Sequence, residues 1–171
     1  MTTAHGAPHR AFVALGSNLG DRWANLATGV AQLPDVVALS RVYETEPVGG
    51  PPGQAHYLNM VAELRTLAAP LDLLAAAQRA ETLAGRTRIV QWGPRTLDVD
   101  ILLIDDLAID VPGFRVPHPR MWERGFVLMP LADLAPEIVG DRLDDDLRVG
   151  VVVAGTLSPH LLALDQGSQG Q

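Results

Sequence analysis

The sequence predicts an α+β fold, and three observations carry that reading. Leu58, Met60, Ala62 and Leu64 alternate with Tyr57, Asn59, Val61 and Glu63, the period of a strand with two different faces. Two segments, 22–33 and 71–83, instead space their apolar residues as helices do and carry helix start and stop signals. A third segment, Thr96 to Leu103, is a strand again, but with Asp98 and Asp100 set into it.

Taken in order, FVAL (Phe12 to Leu15) reads as a short strand ending at Gly16. Asp21 can cap a helix over Arg22 to Leu33, with Leu26, Val30 and Leu33 on one side and Pro34 stopping it. Val36 to Tyr43 alternates loosely and reads as one strand. EPVGGPPGQ places Pro and Gly too densely for a regular element and is expected to be a loop. The alternating strand runs from Tyr57 to Leu67. Pro70 suits a helix first turn, and the following helix closes at Gly85. An arginine-bearing loop then leads into the Asp98 strand. Strand, helix, strand, strand, helix, strand is the ferredoxin-like βαββαβ order, in which both helices cover one face of an antiparallel sheet and leave the other available. A C-terminal extension follows: a hairpin near Leu107 to Val116, a polar turn with His118, and a helix near Phe126 to Leu134. The run Asp144 to Asp146 is expected to be a solvated loop. One domain over residues 10–155 is expected, with disordered tails at 1–9 and 160–171.

Composition excludes several classes of chemistry. The chain has no cysteine, which removes disulfides, thiolate nucleophiles and Cys-ligated zinc. All 13 basic residues are arginine, so Walker-type and protein-kinase sites, which need a lysine, and Schiff bases are excluded. A net charge of -7 argues against a nucleic-acid partner. No apolar run is long enough to span a bilayer and MTTAHGAPHR lacks a signal-peptide core, so neither membrane association nor export is expected; a cytoplasmic monomer is.

Residues two apart on a strand share a face. Leu97, Val99 and Ile101 would then pack under the helices, while Asp98 and Asp100 point together to the open face. Two such carboxylates suit Mg²⁺, which takes one or two carboxylates and completes its shell with phosphate and water. Alone, a DxD pair reads equally well as the polar side of an edge strand. Arg86, Arg88 and Arg95 stand in or beside the loop entering this strand, and guanidinium forks match phosphate oxygens; surface ion pairs are the plainer alternative. Tyr57 and Asn59 share a face of their strand, with Trp92 and Phe126 as further aromatics. A planar heterocycle held between rings and read by an amide would use all of them; an ordinary core would use Tyr57 and Phe126 alone. GSNLGD (Gly16 to Asp21) is weak as a nucleotide motif and is expected to shape the first turn, with Asn18 near a ligand.

The stretches ALGSNLGDR, VYETEPVGG, YLNMVAEL, QRAE, GRTR, WGPRTLDVDILL and VPHPRMWERGFVLMPLADLAPE, in this order from about residue 11 to 138, resemble the 6-hydroxymethyl-7,8-dihydropterin pyrophosphokinases of folate biosynthesis. The resemblance implies transfer of pyrophosphate from ATP to the pterin hydroxymethyl group, giving the pterin diphosphate and AMP. By the same resemblance Asp98 and Asp100 hold two Mg²⁺ ions, and Arg86 and Arg95 neutralise phosphates. Gln78, Glu81, Arg88, Trp92, Ile101, His118 and Arg124 match positions around ATP. Thr45, Val48, Tyr57, Asn59 and Phe126 match the pterin pocket. Ile89 and Gln91 stand where relatives can carry basic residues, and Glu46 where some have proline. Two other readings of the residues are a sugar-nucleotide transferase, which would also use a DxD pair, and a ferredoxin-like regulatory module, which leaves the aspartates and arginines without work.

Overall fold

The structure is a computed structural model in which residues 6–85 and 93–157 are described. The expected disordered tails therefore lie largely outside the described residues, as do Arg86, Arg88, Ile89, Gln91 and Trp92.

Strand β1 (His9–Ser17) leads into helix α1 (Arg22–Gln32), and the expected cap is present: Ala24 N donates to Asp21 Oδ1 at 3.0 Å. The second strand is broken into β2 (Val36–Leu39) and β3 (Arg41–Thr45). Ser40 causes the break. Its hydroxyl takes the Val61 N–H at 2.9 Å and donates to Arg41 O at 2.7 Å, so a side chain replaces one rung of the ladder. Strand β4 (Tyr57–Thr66), helix α2 (Pro70–Leu83) and strand β5 (Asp98–Ile104) follow. The sheet order is β5-β1-β4-β3, with β2 also on β4 and every neighbour antiparallel. This is the predicted ferredoxin-like arrangement.

One face of the sheet is dry as expected. Leu15, Leu58, Met60, Ala62, Leu97, Val99 and Ile101 pack with Leu26, Val30, Leu73, Ala77 and Ala80 of α1 and α2. The hairpin of β6 (Ile109–Val111) and β7 (Phe114–Val116) closes this core beside β5 through Phe114 and Val116.

The opposite face corrects the sequence reading. It is not left open along its length, because α3 (Gly125–Leu134) lies across part of it. Val127, Leu128 and Leu131 bury against Phe12, Val61, Leu102 and Leu103. A helix as apolar as GFVLMPLADL cannot stay in water, and the unclaimed sheet face is where it is buried. A bulge in β5 supports this: Leu103 pairs with Phe12 and Ile101 with Val13, so Leu102 is the extra residue. Leu102 and Leu103 therefore both point toward α3, and the strict alternation that serves Val99 and Ile101 ends there. Among the described residues, α3 leaves uncovered the end of the face carrying Asp98 and Asp100.

The C-terminal segment differs from expectation twice. Asp144 is a helix cap, accepting from Leu147 N at 2.9 Å, and begins the short helix α5 (Asp145–Arg148) after α4 (Pro136–Val139). The sequence analysis assigned no element to 150–156, yet β8 (Val152–Thr156) pairs antiparallel with β3 and extends the sheet. Its valines are largely solvent-exposed, so the alternation that betrays a half-buried strand is missing.

Candidate active site

The floor of the site is a row of four paired residues across the sheet. Tyr43 on β3 pairs with Asn59 on β4, Asn59 with Gly16 on β1, and Gly16 with Asp98 on β5. Directly paired residues share a face, so Asn59 and Asp98 flank a strip without a side chain. The next row repeats the pattern with Val61, Ala14 and Asp100. Neighbouring strands lie about 4.8 Å apart, so Asn59 and Asp98 stand about 10 Å apart across Gly16. A Cβ at residue 16 would approach Asn59 Oδ1 to 2.9 Å and Tyr57 Cδ1 to 3.6 Å; glycine is what keeps this floor clear. The sequence reading named the flanking groups and missed Gly16 and Ala14 as the floor. The small residues alternating in ALGSN are the signal for them.

On the β4 side, Asn59 is only 8% exposed, and its Nδ2 donates to Thr45 Oγ1 at 2.9 Å. Thr45 pairs in register with Tyr57, so these three form one wall. Val48 is 71% exposed on the following loop and is not part of that wall in this conformation. Phe126 stands at the start of α3, with the Arg124 guanidinium 5.6 Å from its ring centroid.

On the β5 side, Asp98 and Asp100 do share the accessible face. Arg95 Nη1 donates to Asp98 Oδ2 at 2.8 Å. Burial first, and the Asp98 charge second, push the Asp100 carboxyl well above the usual carboxylate range, with Arg124 opposing. Yet 39% of the Asp100 side chain remains accessible, so the group sits crowded in a cleft and open to water on one side. His118 Nδ1 accepts from Arg120 N at 3.2 Å, which leaves the proton on Nε2, 3.9 Å from Asp100 Oδ2. Burial and then Arg124 hold His118 below its ordinary value. Among the described residues, Thr96 Oγ1, two residues before Asp98, is buried without a hydrogen-bond partner.

A cleft of about 500 Å³ begins at Asp100 and His118 and runs round the edge of β5, between Leu74 of α2 and the β6–β7 hairpin. Ile101 and Val99 line it, as do Asp110 and Arg115, which the sequence reading left out. Glu81 faces β5, where its Oε1 accepts from Val99 N at 3.0 Å. Gln78 is exposed one helical turn earlier. The expected group thus falls into two sets, Thr45, Tyr57, Asn59 and Phe126 against Asp98, Asp100, Ile101, His118 and Arg124.

Asn18 ties these sets together. It is 2% exposed, and its Nδ2 donates to Gln54 Oε1 at 3.3 Å and to Ala55 O at 3.1 Å. Its Oδ1 accepts from Arg95 N at 2.8 Å.

The family model of 7,8-dihydro-6-hydroxymethylpterin-pyrophosphokinase (HPPK) matches residues 12–136. The chain belongs to this family. It is 47% identical over 133 residues to the 2-amino-4-hydroxy-6-hydroxymethyldihydropteridine pyrophosphokinase of Bacillus subtilis, covering 75% of this chain and 79% of that one. It is 47% identical over 150 residues to the enzyme of the same description from Pseudomonas aeruginosa, covering 85% and 90%. Among solved structures, Plasmodium falciparum HPPK-DHPS superposes with a TM-score of 0.61 at 15% identity, covering 85% of this chain. This likeness concerns the fold, and the chain spans only 43% of that longer protein. The HPPK match encloses every residue named above as part of the site. Of the described residues, it leaves out 6–11, with the start of β1, and 137–157, with most of α4 and all of α5 and β8.

Proposed function

We propose that the Asn59–Gly16–Asp98 row is where the two substrates of the HPPK reaction meet. The reaction moves the pyrophosphoryl group of ATP onto the hydroxymethyl oxygen of 6-hydroxymethyl-7,8-dihydropterin, in folate biosynthesis. The hydroxyl oxygen forms a bond to the β-phosphorus, the bond from that phosphorus to the bridging oxygen breaks, AMP departs with that oxygen, and the hydroxyl proton is released.

The pterin ring lies over Gly16, its edge read by Asn59 and the Thr45 backbone, between Tyr57 and Phe126. The adenine-bearing end takes the cleft at Ile101 and His118, beside Gln78, Glu81 and Arg124. This places the hydroxymethyl group and the polyphosphate together above Asp98 and Asp100. The fit to Mg²⁺ rests on the donor set: two carboxylates on one face, one of them so disfavoured as an anion that it calls for a cation. Among the described residues, no group of three or more metal-ligating side chains forms a cage, and Mg²⁺ bound beside nucleotides is completed by phosphates and water. Asp98 and Asp100 would hold two ions, whose charge would offset that building on the phosphate oxygens. Arg95, now paired with Asp98, exchanges that carboxylate for phosphate oxygens as the nucleotide enters. Arg86, Arg88 and Trp92, outside the described residues, belong to the same loop and are proposed to act on the polyphosphate and base. The protein's part is positioning and electrostatic stabilisation, as in phosphoryl transfer generally.

The expected working form is a cytoplasmic monomer, tested by light scattering of the purified chain. No described helix is long and apolar enough to cross a membrane. The deciding experiment is AMP formation from ATP. It should require both the hydroxymethylpterin and Mg²⁺. AMP release without the pterin, or turnover of a nucleotide sugar instead, would overturn the reading.

A further inference from the structure

The first residue of α1 holds the loop 46–56 at its foot. Arg22 Nη1 donates to Glu44 Oε2 at 3.1 Å and to His56 O at 2.9 Å. His56 Nδ1 lies 3.5 Å from the other Glu44 oxygen. Glu44 immediately precedes Thr45, and His56 immediately precedes Tyr57. Thr45 and Tyr57 are the register pair at which β3 and β4 leave the sheet. One guanidinium thus bridges the outgoing and the returning strand at the point where the loop opens.

Arg22 is itself well anchored. It is the first residue of α1, whose start is fixed by the Asp21 cap, and Asn25 Nδ2 donates back to Leu19 O at 2.9 Å. The loop above the clasp has the opposite character. Gly49, Gly50 and Gly53 have φ of 77°, 82° and 80°, and Val48 is exposed. The tip is shaped by left-handed glycines, while its two feet are tied by side-chain hydrogen bonds.

We propose that Arg22 is a positioning residue for the pterin wall: by bridging Glu44 and the His56 carbonyl it fixes the separation of Thr45 and Tyr57, and so selectively sets affinity for the pterin. The inference rests on the pterin lying against that wall. Selectivity follows from the sheet order. The clasp sits at β3 and β4, whereas Asp100, Ile101 and His118 line the cleft at β5, on the far side of β1. Losing the clasp slackens one substrate's pocket and leaves the other's alone.

The test is steady-state kinetics of Arg22→Met, Glu44→Gln and the double variant, with Mg²⁺ and either substrate varied at saturation of the other. The expected result for Arg22→Met is a rise in pterin KM of about fivefold to tenfold, the worth of one or two part-exposed charge-assisted hydrogen bonds. kcat should stay within about twofold and ATP KM should not move. The double variant should be no worse than Arg22→Met, because the Arg22–Glu44 bond that Glu44→Gln weakens is already absent once Arg22 is replaced. Hydrogen exchange at residues 54–57 should quicken in the variants. An unchanged pterin KM in both single variants overturns the proposal, and so does an equal rise in ATP KM or strict additivity. If Arg22→Met does not fold, Glu44→Gln carries the same test with a nearly isosteric side chain. Absence of pterin-dependent turnover in the unaltered protein would instead overturn the assignment of the pocket, which separates the two failures.

Discussion

Asn18 and Arg95 hold each other by two reciprocal hydrogen bonds across 77 positions of sequence: Asn18 N donates to Arg95 O at 3.1 Å, and Arg95 N donates to Asn18 Oδ1 at 2.8 Å. The same side chain reaches Gln54 and Ala55 through its Nδ2. One amide therefore fixes the entry to the aspartate strand and the return of the Pro/Gly loop. Asn18→Ala leaves Arg95 N and Ala55 O without these partners. Each part-buried hydrogen bond so lost is worth about 0.5–1.5 kcal/mol. Since both loops move, kcat/KM should fall for both substrates, by about tenfold to a hundredfold, in contrast to the one-sided effect expected at Arg22. Kinetics with each substrate varied in turn would show it, and a loss confined to one substrate would contradict it.

Asp98→Asn and Asp100→Asn keep the shape of each side chain and remove the charge. Loss of a group that stabilises developing charge costs about 2.7–4 kcal/mol in comparable sites, or roughly 10²–10³ in kcat. Both variants should fall at least that far, and their residual activity should need more Mg²⁺. Thermal unfolding should be unimpaired or improved for Asp100→Asn, because its carboxylate is disfavoured by burial and by Asp98. Near-normal turnover of either variant at ordinary Mg²⁺ would remove the metal-holding role.

The floor of the site makes a steric prediction. Gly16→Ala places a methyl group 2.9 Å from Asn59 Oδ1, with Tyr57 behind it. The backbone at residue 16 is ordinary strand, so the chain folds and the amide has to give way. Pterin KM should rise by roughly tenfold or more, as expected where a single displaced hydrogen bond and a misplaced ring act together. ATP affinity should change little. Titration with a non-hydrolysable ATP analogue and with the pterin separately would distinguish this from general loss of structure.

Much of this was legible in the chain because the relevant patterns are local. Period-2 alternation placed Asp98 and Asp100 on one face and Tyr57 and Asn59 on another strand's matching face, and the structure keeps both pairings. The Asp21 cap and Pro70 start were readable because capping is decided within a few residues. What was not legible is long-range. Nothing near Ser40 announces that its hydroxyl will interrupt a strand by bonding Val61. The destination of α3 depends on a face supplied by Phe12, Val61 and the bulged Leu102 and Leu103. The β8 strand has few buried positions and offers no alternation to detect. Gly16 closes the FVALG strand pattern in the sequence, whereas its pairing with Asn59 and Asp98 sets it at the centre of the candidate site.

The anchor of α3 gives a prediction about pH. Tyr43 is fully buried, and its hydroxyl donates between the two Asp133 oxygens, at 3.0 and 2.9 Å. Arg41 clamps the same carboxylate at 2.6 Å. Burial first, then the hydrogen bond to Asp133, raise the Tyr43 hydroxyl from 10.0 to about 12. Burial pushes Asp133 up, but Arg41 and Tyr43 together outweigh it and hold the carboxyl below 3.8. A folded-state value raised above the unfolded one means that the native state keeps a proton the unfolded chain has lost. The Tyr43 contribution is therefore complete below pH 10 and is lost as pH rises toward 12. The Asp133 contribution has the opposite sense: it is complete above the ordinary carboxylate range and is lost as pH falls below 3.8. Tyr43→Phe should be less stable than the unaltered protein by about 1–2 kcal/mol near pH 8, the worth of a hydrogen bond to a charged acceptor. That gap should narrow between pH 10 and 12, since the variant has no proton to lose. Denaturant midpoints measured from pH 7 to 11.5 would follow it. A gap that stays constant over that range would show that Tyr43 titrates at its ordinary value, and that the helix carrying Phe126 is held by packing rather than by this bond.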